Sequence, residues 1–310
     1  MKIAVVGTGA LGALFAGYLA RAGEEVWAVD IKPEIVETIR AAGVRIREAS
    51  GEENSILLRA TRTPEEIGQA ELVIFLPKSR QTQQAGEDAR PLFGPKTAGL
   101  TLQNGLGNPE VLESIFGGGR ILAGVTSHGS TLISPGKILH AGSGDTIIGE
   151  MRGGFSERAE EITGLLNRAG IVTRVSGEIR NEVWGKLIVN IGINALSSIT
   201  RLRNGDLLQY PETRETLRRA VLEAKEIADR KGIRLPFPNP VEKTEEACRL
   251  TRHNYSSMLQ DVLSQRETEV DFINGAVVCE GAGLGMETPI NWMLMSLVKA
   301  LEKTYSLHLG

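Results

Sequence analysis

The chain has 310 residues, 41% of them hydrophobic, a net charge of −3 and two cysteines. That is length for two domains and enough apolar material for a core in each, and it excludes the electrostatic footprint of a nucleic-acid or anionic-membrane binder. No apolar run reaches membrane-spanning length, and the opening MKIAVVG reads as a strand and not as a signal peptide, so the expectation is a cytoplasmic protein that binds neither membrane nor nucleic acid.

Residues 2–6 (KIAVV) are a short apolar β run, followed by GTGALG with Gly7, Gly9 and Gly12 in the GxGxxG pattern. Leu11, Leu14, Phe15, Tyr18 and Leu19 continue at helical spacing, and a second β run follows at 25–30 (EVWAVD). Strand, glycine turn, helix and strand make up the dinucleotide-binding unit. The first glycine permits the tight turn, the second lets backbone N–H groups approach a pyrophosphate, and the third allows close helix–strand packing. The expected cofactor contacts are Gly7, Thr8, Gly9, Ala10, Leu11 and Gly12. Asp30 ends the second strand. A carboxylate there accepts from the adenosine ribose hydroxyls and repels the 2′-phosphate of NADP, which favours NAD(H); Lys32 partly offsets that repulsion. The competing reading of Asp30 is a helix N-cap before Pro33.

Residues 71–77 (ELVIFLP) form a further buried strand ending at Lys78 and Arg80. Residues 99–102 form the next, ending in Gln103-Asn104-Gly105. Ligands of an open parallel sheet lie at the carboxyl ends of its strands, so Lys78 and Asn104 are placed to meet cofactor or substrate. Taken alone, Asn104-Gly105 also reads as a plain turn. Short strands at 121–127, 136–140 and 145–148 are expected to extend the sheet in antiparallel fashion. A helix at 157–167 and a last strand at 171–175 complete the domain, with Ser176-Gly177 as its boundary.

Beyond that boundary the pattern is helical. The stretch 180–200 (RNEVWGKLIVNIGINALSSIT) is apolar on nearly every side, as a buried helix is, yet Lys186, Asn190 and Asn194 recur every fourth residue. That spacing stacks three polar side chains along one stripe. The stripe is either a solvated face with a structural lysine or the polar wall of a site, since an unpaired buried ammonium is costly. A charged amphipathic helix covers 212–231, a proline-rich connector 235–240 precedes another helical segment, and HNYSS at 253–257 interrupts the pattern before it resumes at 258–262. Ser256 and Ser257 are good N-cap residues. Residues 267–280 and 288–305 read as the last helices, with Pro289 in a first turn. The expected architecture is an α/β doubly wound Rossmann domain, residues 1–176, and an all-α domain, residues 177–310, with a substrate in the cleft between them.

Several of these segments, in this order, resemble the ketopantoate reductase (2-dehydropantoate 2-reductase) family. They are GTGALG at 7–12, Lys78, LQNGLGN at 102–108, W-x-K-x-x-x-N-x-x-x-N at 184–194, NYSSMLQD at 254–261 and TEVDFINGAVV at 268–278. The resemblance implies a Rossmann domain followed by a helical domain like that of 6-phosphogluconate dehydrogenase. It implies reduction of 2-dehydropantoate to (R)-pantoate in pantothenate and coenzyme A biosynthesis. It also implies Lys186 and Glu269 as catalytic residues, Asn190, Asn194 and Ser257 as substrate ligands, and Asn104 beside the nicotinamide ribose and the lysine. NADP(H) is usual for the family and commonly meets a basic residue at the end of the second strand. Here that place holds Asp30 and Ile31, a departure that favours NAD(H). Some members dimerise through their C-terminal helices, so a homodimer is compatible with the chain.

The residue types suit the chemistry. Lys186 can stabilise a developing alkoxide and give up its proton, Glu269 can orient the ammonium or bond the substrate, and the two asparagines offer donors and acceptors. Glu269 alone also reads as a surface helix carboxylate. Lactate-type dehydrogenases use histidine as the proton donor, but His128 has no carboxylate near it in sequence, His253 only neighbours NYSS, and His140 and His308 read as structural or exposed. No cluster has metal-ligand spacing. Cys248 and Cys279 are far apart without CxxC spacing and are read as buried free thiols. Two rival readings stand beside the first: an NAD-dependent D-2-hydroxyacid dehydrogenase on the same scaffold, and a non-catalytic cofactor-sensing protein, which would need neither Lys186 nor Glu269.

Overall fold

The computed structural model describes residues 1–307; His308 lies outside the described residues. The chain divides into two compact units. One comprises Met1–Gln103 and Gly107–Arg180, the other Asn104–Leu106 and Asn181–Gly310.

The first unit is built on an eight-stranded sheet. In chain order the strands of the unit are β1 (Lys2–Val6), β2 (Glu25–Val29), β3 (Val44–Glu48), β4 (Glu53–Ile56), β5 (Arg59–Thr61), β6 (Ala70–Phe75), β7 (Phe93–Thr101), β8 (Ile121–Thr126), β9 (Gly129–Ser134), β10 (Lys137–Gly142), β11 (Thr146–Glu150) and β12 (Thr173–Val175). Its helices are α1 (Ala10–Arg21), α2 (Pro33–Ala42), α3 (Thr82–Asp88), α4 (Asn108–Phe116) and α5 (Glu157–Arg168). The large sheet runs β12-β11-β8-β7-β6-β1-β2-β5. All neighbours are parallel except β8 and β11. The order reverses between β1 and β6, which makes their carboxyl ends, Gly7 and Lys78 among them, the topological switch point where such sheets bind ligands.

Alternation along β1 and β6 shows why both faces are covered. Ile3, Val5, Leu72 and Ile74 face a core shared with α1, α2 and α5; Ala4, Val6, Val73 and Phe75 face one shared with Leu92 and α4. A continuous apolar run is what a strand buried on both faces needs.

A second, four-stranded sheet of order β4-β3-β10-β9 was not expected from the sequence, nor were β3, β4, β5 and β9. The segment 136–140, expected to extend the main sheet, instead pairs parallel to β3 and antiparallel to β9. Of the strands expected to be antiparallel extensions, β11 is one. The small sheet covers α1 from outside: a Cβ on Gly17 would sit 2.8 Å from Ile46 Cδ1. With a sheet on each side, α1 is buried from Gly12 to Leu19, which is why ALGALFAGYLA carries almost no polar residue.

Four polar side chains tie α1 to the small sheet. The Tyr18 hydroxyl donates to Glu48 Oε1 at 2.8 Å, His140 Nδ1 lies 2.7 Å from Glu48 Oε2, and His128 Nδ1 lies 3.0 Å from His140 Nε2. His128 therefore does have a carboxylate behind it, Glu48, through His140, although none is near in sequence. Burial and then the neighbouring imidazole push the His128 pKa down.

The helical unit consists of α6 (Ile179–Thr200, whose first two residues belong to the first unit), α7 (Pro211–Arg230), α8 (Pro240–Leu250), α9 (Ser257–Leu263), α10 (Asn274–Gly283) and α11 (Pro289–Lys303). Trp184, Leu187, Ile188, Ile191, Leu217, Val221, Ile227, Val277, Leu294 and Val298 share its core. Pro289 takes the first position of α11, and the N–H groups of Ile290 and Asn291 donate to Glu223 of α7 at 2.8 and 3.0 Å. The carboxylate thus meets the positive end of α11. The expected helix at 267–280 is in fact a 3-10 turn, Val270–Phe272, and then α10, because Ile273 leaves helical geometry at φ −106° and ψ −86°. Cys248 is buried as expected; Cys279 is exposed, on the outward side of α10, and both are free thiols. Among the described residues no helix is long and apolar enough to cross a membrane.

Candidate active site

In the first unit the glycine loop is shaped by close approach. Gly7 has φ +85°, and a Cβ there would lie 2.4 Å from Pro77 N; at Gly12 a Cβ would lie 2.0 Å from the Gly7 carbonyl oxygen. Only glycine fits either place. Gly9 differs: a Cβ would meet nothing within 4 Å. Gly9 is also the N-cap of α1, with no side-chain cap and no acidic residue in the first turn. No capping side chain and no carboxylate of the first turn competes for the N-terminus of α1, the arrangement that receives a pyrophosphate. Ala10 and Leu11 begin the helix there, and the Ala10 carbonyl accepts from Ser130 Oγ at 2.9 Å. The loop fits a dinucleotide.

Asp30 follows β2 and braces that loop. Its Oδ2 accepts from the Thr8 N–H at 2.8 Å and the Thr8 hydroxyl at 3.2 Å; its Oδ1 accepts from the Lys32 N–H at 3.0 Å. The N-cap of α2 is Lys32, without a side-chain cap bond, so Asp30 is not that helix's cap. Lys78 follows Pro77, the residue packed on Gly7, and opens the 3-10 turn Ser79–Gln81.

Beneath it lies a polar network that sequence reasoning did not assign. Gln103 Nε2 donates to the Pro77 carbonyl and the Thr82 hydroxyl, both at 2.8 Å. Thr82 donates to Asn108 Oδ1 at 2.8 Å, and Asn108 Nδ2 donates to Ser79 Oγ at 3.2 Å. Gln103 and Asn108 belong to LQNGLGN, so part of that motif holds the loop carrying Lys78.

In the helical unit, α6 carries Lys186, Asn190 and Asn194 over about 12 Å of its axis. Its glycines let neighbours close in: a Cβ on Gly185 would lie 2.8 Å from Pro236, and one on Gly192 2.7 Å from Thr244. Lys186 keeps some exposed surface, while dense surroundings push its ammonium down to about 8; the Glu269 charge pulls part of the way back. Glu269 is 8% exposed, which sets aside its reading as a surface carboxylate. Asn104 Nδ2 donates to Glu269 Oε2 at 3.4 Å. Asn104 reaches it because Gly105 turns at φ +83° and the Leu106 N–H donates to the Phe272 carbonyl at 3.1 Å. Asn104-Gly105 is thus a turn that also sets the Asn104 amide on Glu269.

At the far end of the stripe, Asn194 is buried and its Nδ2 has no hydrogen-bond partner among the described residues. Ser197 Oγ donates to the Asn194 carbonyl at 3.0 Å and lies 2.7 Å from Ser256 Oγ. Ser256, not Ser257, caps α9, accepting from the Leu259 N–H at 3.0 Å. Ser257 is the exposed first residue of α9, brought beside α6 by its neighbour. Asn204 was not singled out from sequence, where Asn-Gly reads as a turn. It is buried, with Nδ2 on Thr251 Oγ1 at 2.9 Å and Oδ1 without a partner among the described residues. No group of three His, Cys, Asp or Glu among the described residues could hold a metal.

The family model for ketopantoate reductase PanE/ApbA matches residues 3–153, and that for its C-terminal region matches 178–302. The chain belongs to the ketopantoate reductase family. It is accordingly an NAD(P)-dependent oxidoreductase by family, with the Rossmann and helical parts expected from its sequence. It is 35% identical to the 2-dehydropantoate 2-reductase of Pyrococcus horikoshii, over 97% of this chain and 98% of that one. A ketopantoate reductase structure from Ralstonia eutropha JMP134 superposes with a TM-score of 0.90 at 30% identity, over 99% of this chain and all (100%) of that one. D-mandelate dehydrogenase, solved with NADH and anilino(oxo)acetate, superposes with a TM-score of 0.94 at 28% identity, over 99% and 100%.

Proposed function

We propose that the chain is a 2-dehydropantoate 2-reductase, converting 2-dehydropantoate to (R)-pantoate, with a dinucleotide-binding first unit and a substrate-binding helical unit. The observation that carries this reading is the cluster of Lys186, Glu269 and Asn104, an ammonium held near the edge of ionisation beside a buried carboxylate. Gly7 to Gly12, with Asp30 and Lys78, hold the nicotinamide cofactor, which supplies the hydride when bound. Lys186 donates its Nζ proton to the developing alkoxide oxygen and, while charged, stabilises it. Glu269 sets the position and proton affinity of that ammonium. Asn190, Asn194 and Ser257 bond the carboxylate and hydroxyl groups of the substrate; the Asn194 amide, without a partner among the described residues, is a donor whose burial a ligand would compensate. Asp30 favours NADH, since its carboxylate repels a 2′-phosphate.

Steady-state assays with 2-dehydropantoate and a panel of bulky 2-keto acids test the reading. Turnover of 2-dehydropantoate with the highest kcat/KM is expected. Silence with that substrate and rapid turnover of another keto acid would remove it. The second reading, an NAD-dependent D-2-hydroxyacid dehydrogenase, draws on Asp30 and on the likeness to D-mandelate dehydrogenase, and the same panel separates the two.

A further inference from the structure

We infer that His128 and His140 are positioning residues: with Glu48 and Tyr18 they form a hydrogen-bonded relay that fixes the start of α1 and couples the dinucleotide affinity of the glycine loop to one proton. The relay lies wholly in the first unit and runs beside α1. Phe15 meets the His128 ring edge to face, centroids 6.3 Å apart and planes at 79°, and Tyr18 meets the His140 ring in the same way at 5.7 Å and 89°. His140 lies opposite Ser130 in the register of β10 and β9, and Ser130 Oγ donates to the Ala10 carbonyl at 2.9 Å. Tyr18 is two turns further along the helix, about 12 Å from Ala10. α1 is thus tied at two points, and one of them is the residue that opens the helix behind the glycine loop.

The acceptors of the relay fix its proton count. A carboxylate has no proton to give, so Glu48 accepts twice, from the Tyr18 hydroxyl at 2.8 Å and from His140 Nδ1–H at 2.7 Å. Burial and then the Glu48 bond raise the Tyr18 hydroxyl to about 12, so it stays a donor; its oxygen, 3.0 Å from His140 Nδ1, can accept a share of that N–H. The Nε2 of a neutral His140 is then an acceptor and takes the His128 Nδ1–H at 3.0 Å. His128 Nε2 is left bare, buried and without a partner among the described residues. A further proton ends on that atom whichever ring keeps the charge. If His128 keeps it, Nε2 is the vacant site. If His140 keeps it, its Nε2–H faces His128 Nδ1, and His128 must carry its own proton on Nε2. Either way a buried N–H without an acceptor appears, and the ring has to leave its place to find one. Burial and the neighbouring imidazole accordingly hold His128 below its ordinary value. Among the described residues the other charges facing the relay are Asp145, before β11, which favours the proton, and Arg21 of α1, 4.4 Å over the Tyr18 ring. His128 directly precedes β9, so its departure pulls on the strand that carries Ser130 and the bond to Ala10.

This inference rests on the reading that the first unit binds a nicotinamide dinucleotide, and one titration series keeps the two apart. NAD+ is titrated by calorimetry into the whole chain at pH 8.0, 7.0 and 5.5, the acid point in both acetate and MES, whose ionisation heats differ. Wild type, His128→Asn and Ser130→Ala are compared. The neutral relay is intact above the ordinary histidine value of 6.5 and is lost as pH falls below it. Wild type should therefore hold a constant Kd from pH 8.0 to 7.0, bind about threefold more weakly or worse at pH 5.5, and release protons on binding there; one proton limits the change to about tenfold per pH unit. Asparagine keeps an amide donor near the Nδ1 position and lacks the Nε2 site. His128→Asn should bind as wild type does at pH 8.0 and show neither the acid loss nor the proton release. Ser130→Ala should bind about threefold more weakly at pH 8.0 and lose little more at pH 5.5. Binding at pH 8.0 also certifies that each variant is folded. Wild-type affinity that ignores pH, proton release that persists in His128→Asn, or a full acid loss in Ser130→Ala each overturns the relay. Failure of wild type to bind NAD+ at pH 8.0 overturns the dinucleotide reading itself.

Discussion

The two candidate regions are built from opposite materials. In the first unit the loop at Gly7–Gly12 works through what is absent: no Cβ at Gly7 or Gly12, where backbone lies within 2.4 and 2.0 Å, and none at Gly9, where space is left open. In the helical unit the site is made of side chains, and its central group is an ammonium whose proton affinity is set by burial and by Glu269. The first region should fail by steric collision. The second should fail by loss of a proton while the fold stands.

The sharpest break in that comparison is expected at Gly12. Gly12→Ala drives a methyl into the Gly7 carbonyl and should cost roughly 3 kcal/mol of stability or more, the upper end of overpacking, read by urea unfolding. Gly9→Ala is its control. It should fold within about 0.5 kcal/mol of wild type, as a substitution away from packed features does. It should still raise the dinucleotide Kd about tenfold by filling the open cradle. In the helical unit, Lys186→Ala should lower kcat by about 100-fold or more while the protein remains folded. A near-normal rate would mean that the proton comes from elsewhere.

The pH profile sharpens the contrast further. The proposed reduction needs Lys186 protonated, and its pKa is depressed to about 8, so kcat for keto-acid reduction should be full below that pH and decline as pH rises through it. Glu269 raises that pKa, so Glu269→Gln should move the declining limb to lower pH. An unmoved limb would detach Glu269 from Lys186. The smallest effect is expected at Asn194. Asn194→Leu removes a buried amide N–H that has no partner among the described residues, so stability should hold or rise by about 1 kcal/mol while KM for the keto acid increases. A loss of stability with unchanged KM would make Asn194 a core residue only.

Legibility followed distance along the chain. The glycine loop, β1, β2 and the polar stripe of α6 could be read because each is local: turn, helix and strand occupy consecutive residues and carry their own periodicity. The small sheet could not. β3 (VRIRE) and β4 (ENSI) are short and largely polar, and the strand that joins them into a sheet, β10, pairs with β3 from nearly a hundred positions away. Distance also hid the link from His128 to Glu48 through His140, whereas the split of segment 267–280 comes from the backbone of Ile273.

By itself, then, the sequence determined the Rossmann unit with its glycine loop, the helical unit after it, and the residue types able to carry a reduction, because backbone sterics and helical periodicity are short-range properties. Tertiary structure alone decided how those residues are used. It made Asp30 a brace for Thr8 and not the helix cap of the competing reading, and it set Asn104 against Glu269. It also fixed the proton affinity of Lys186, since desolvation and the charge of a residue far along the chain depend on packing that no single segment contains.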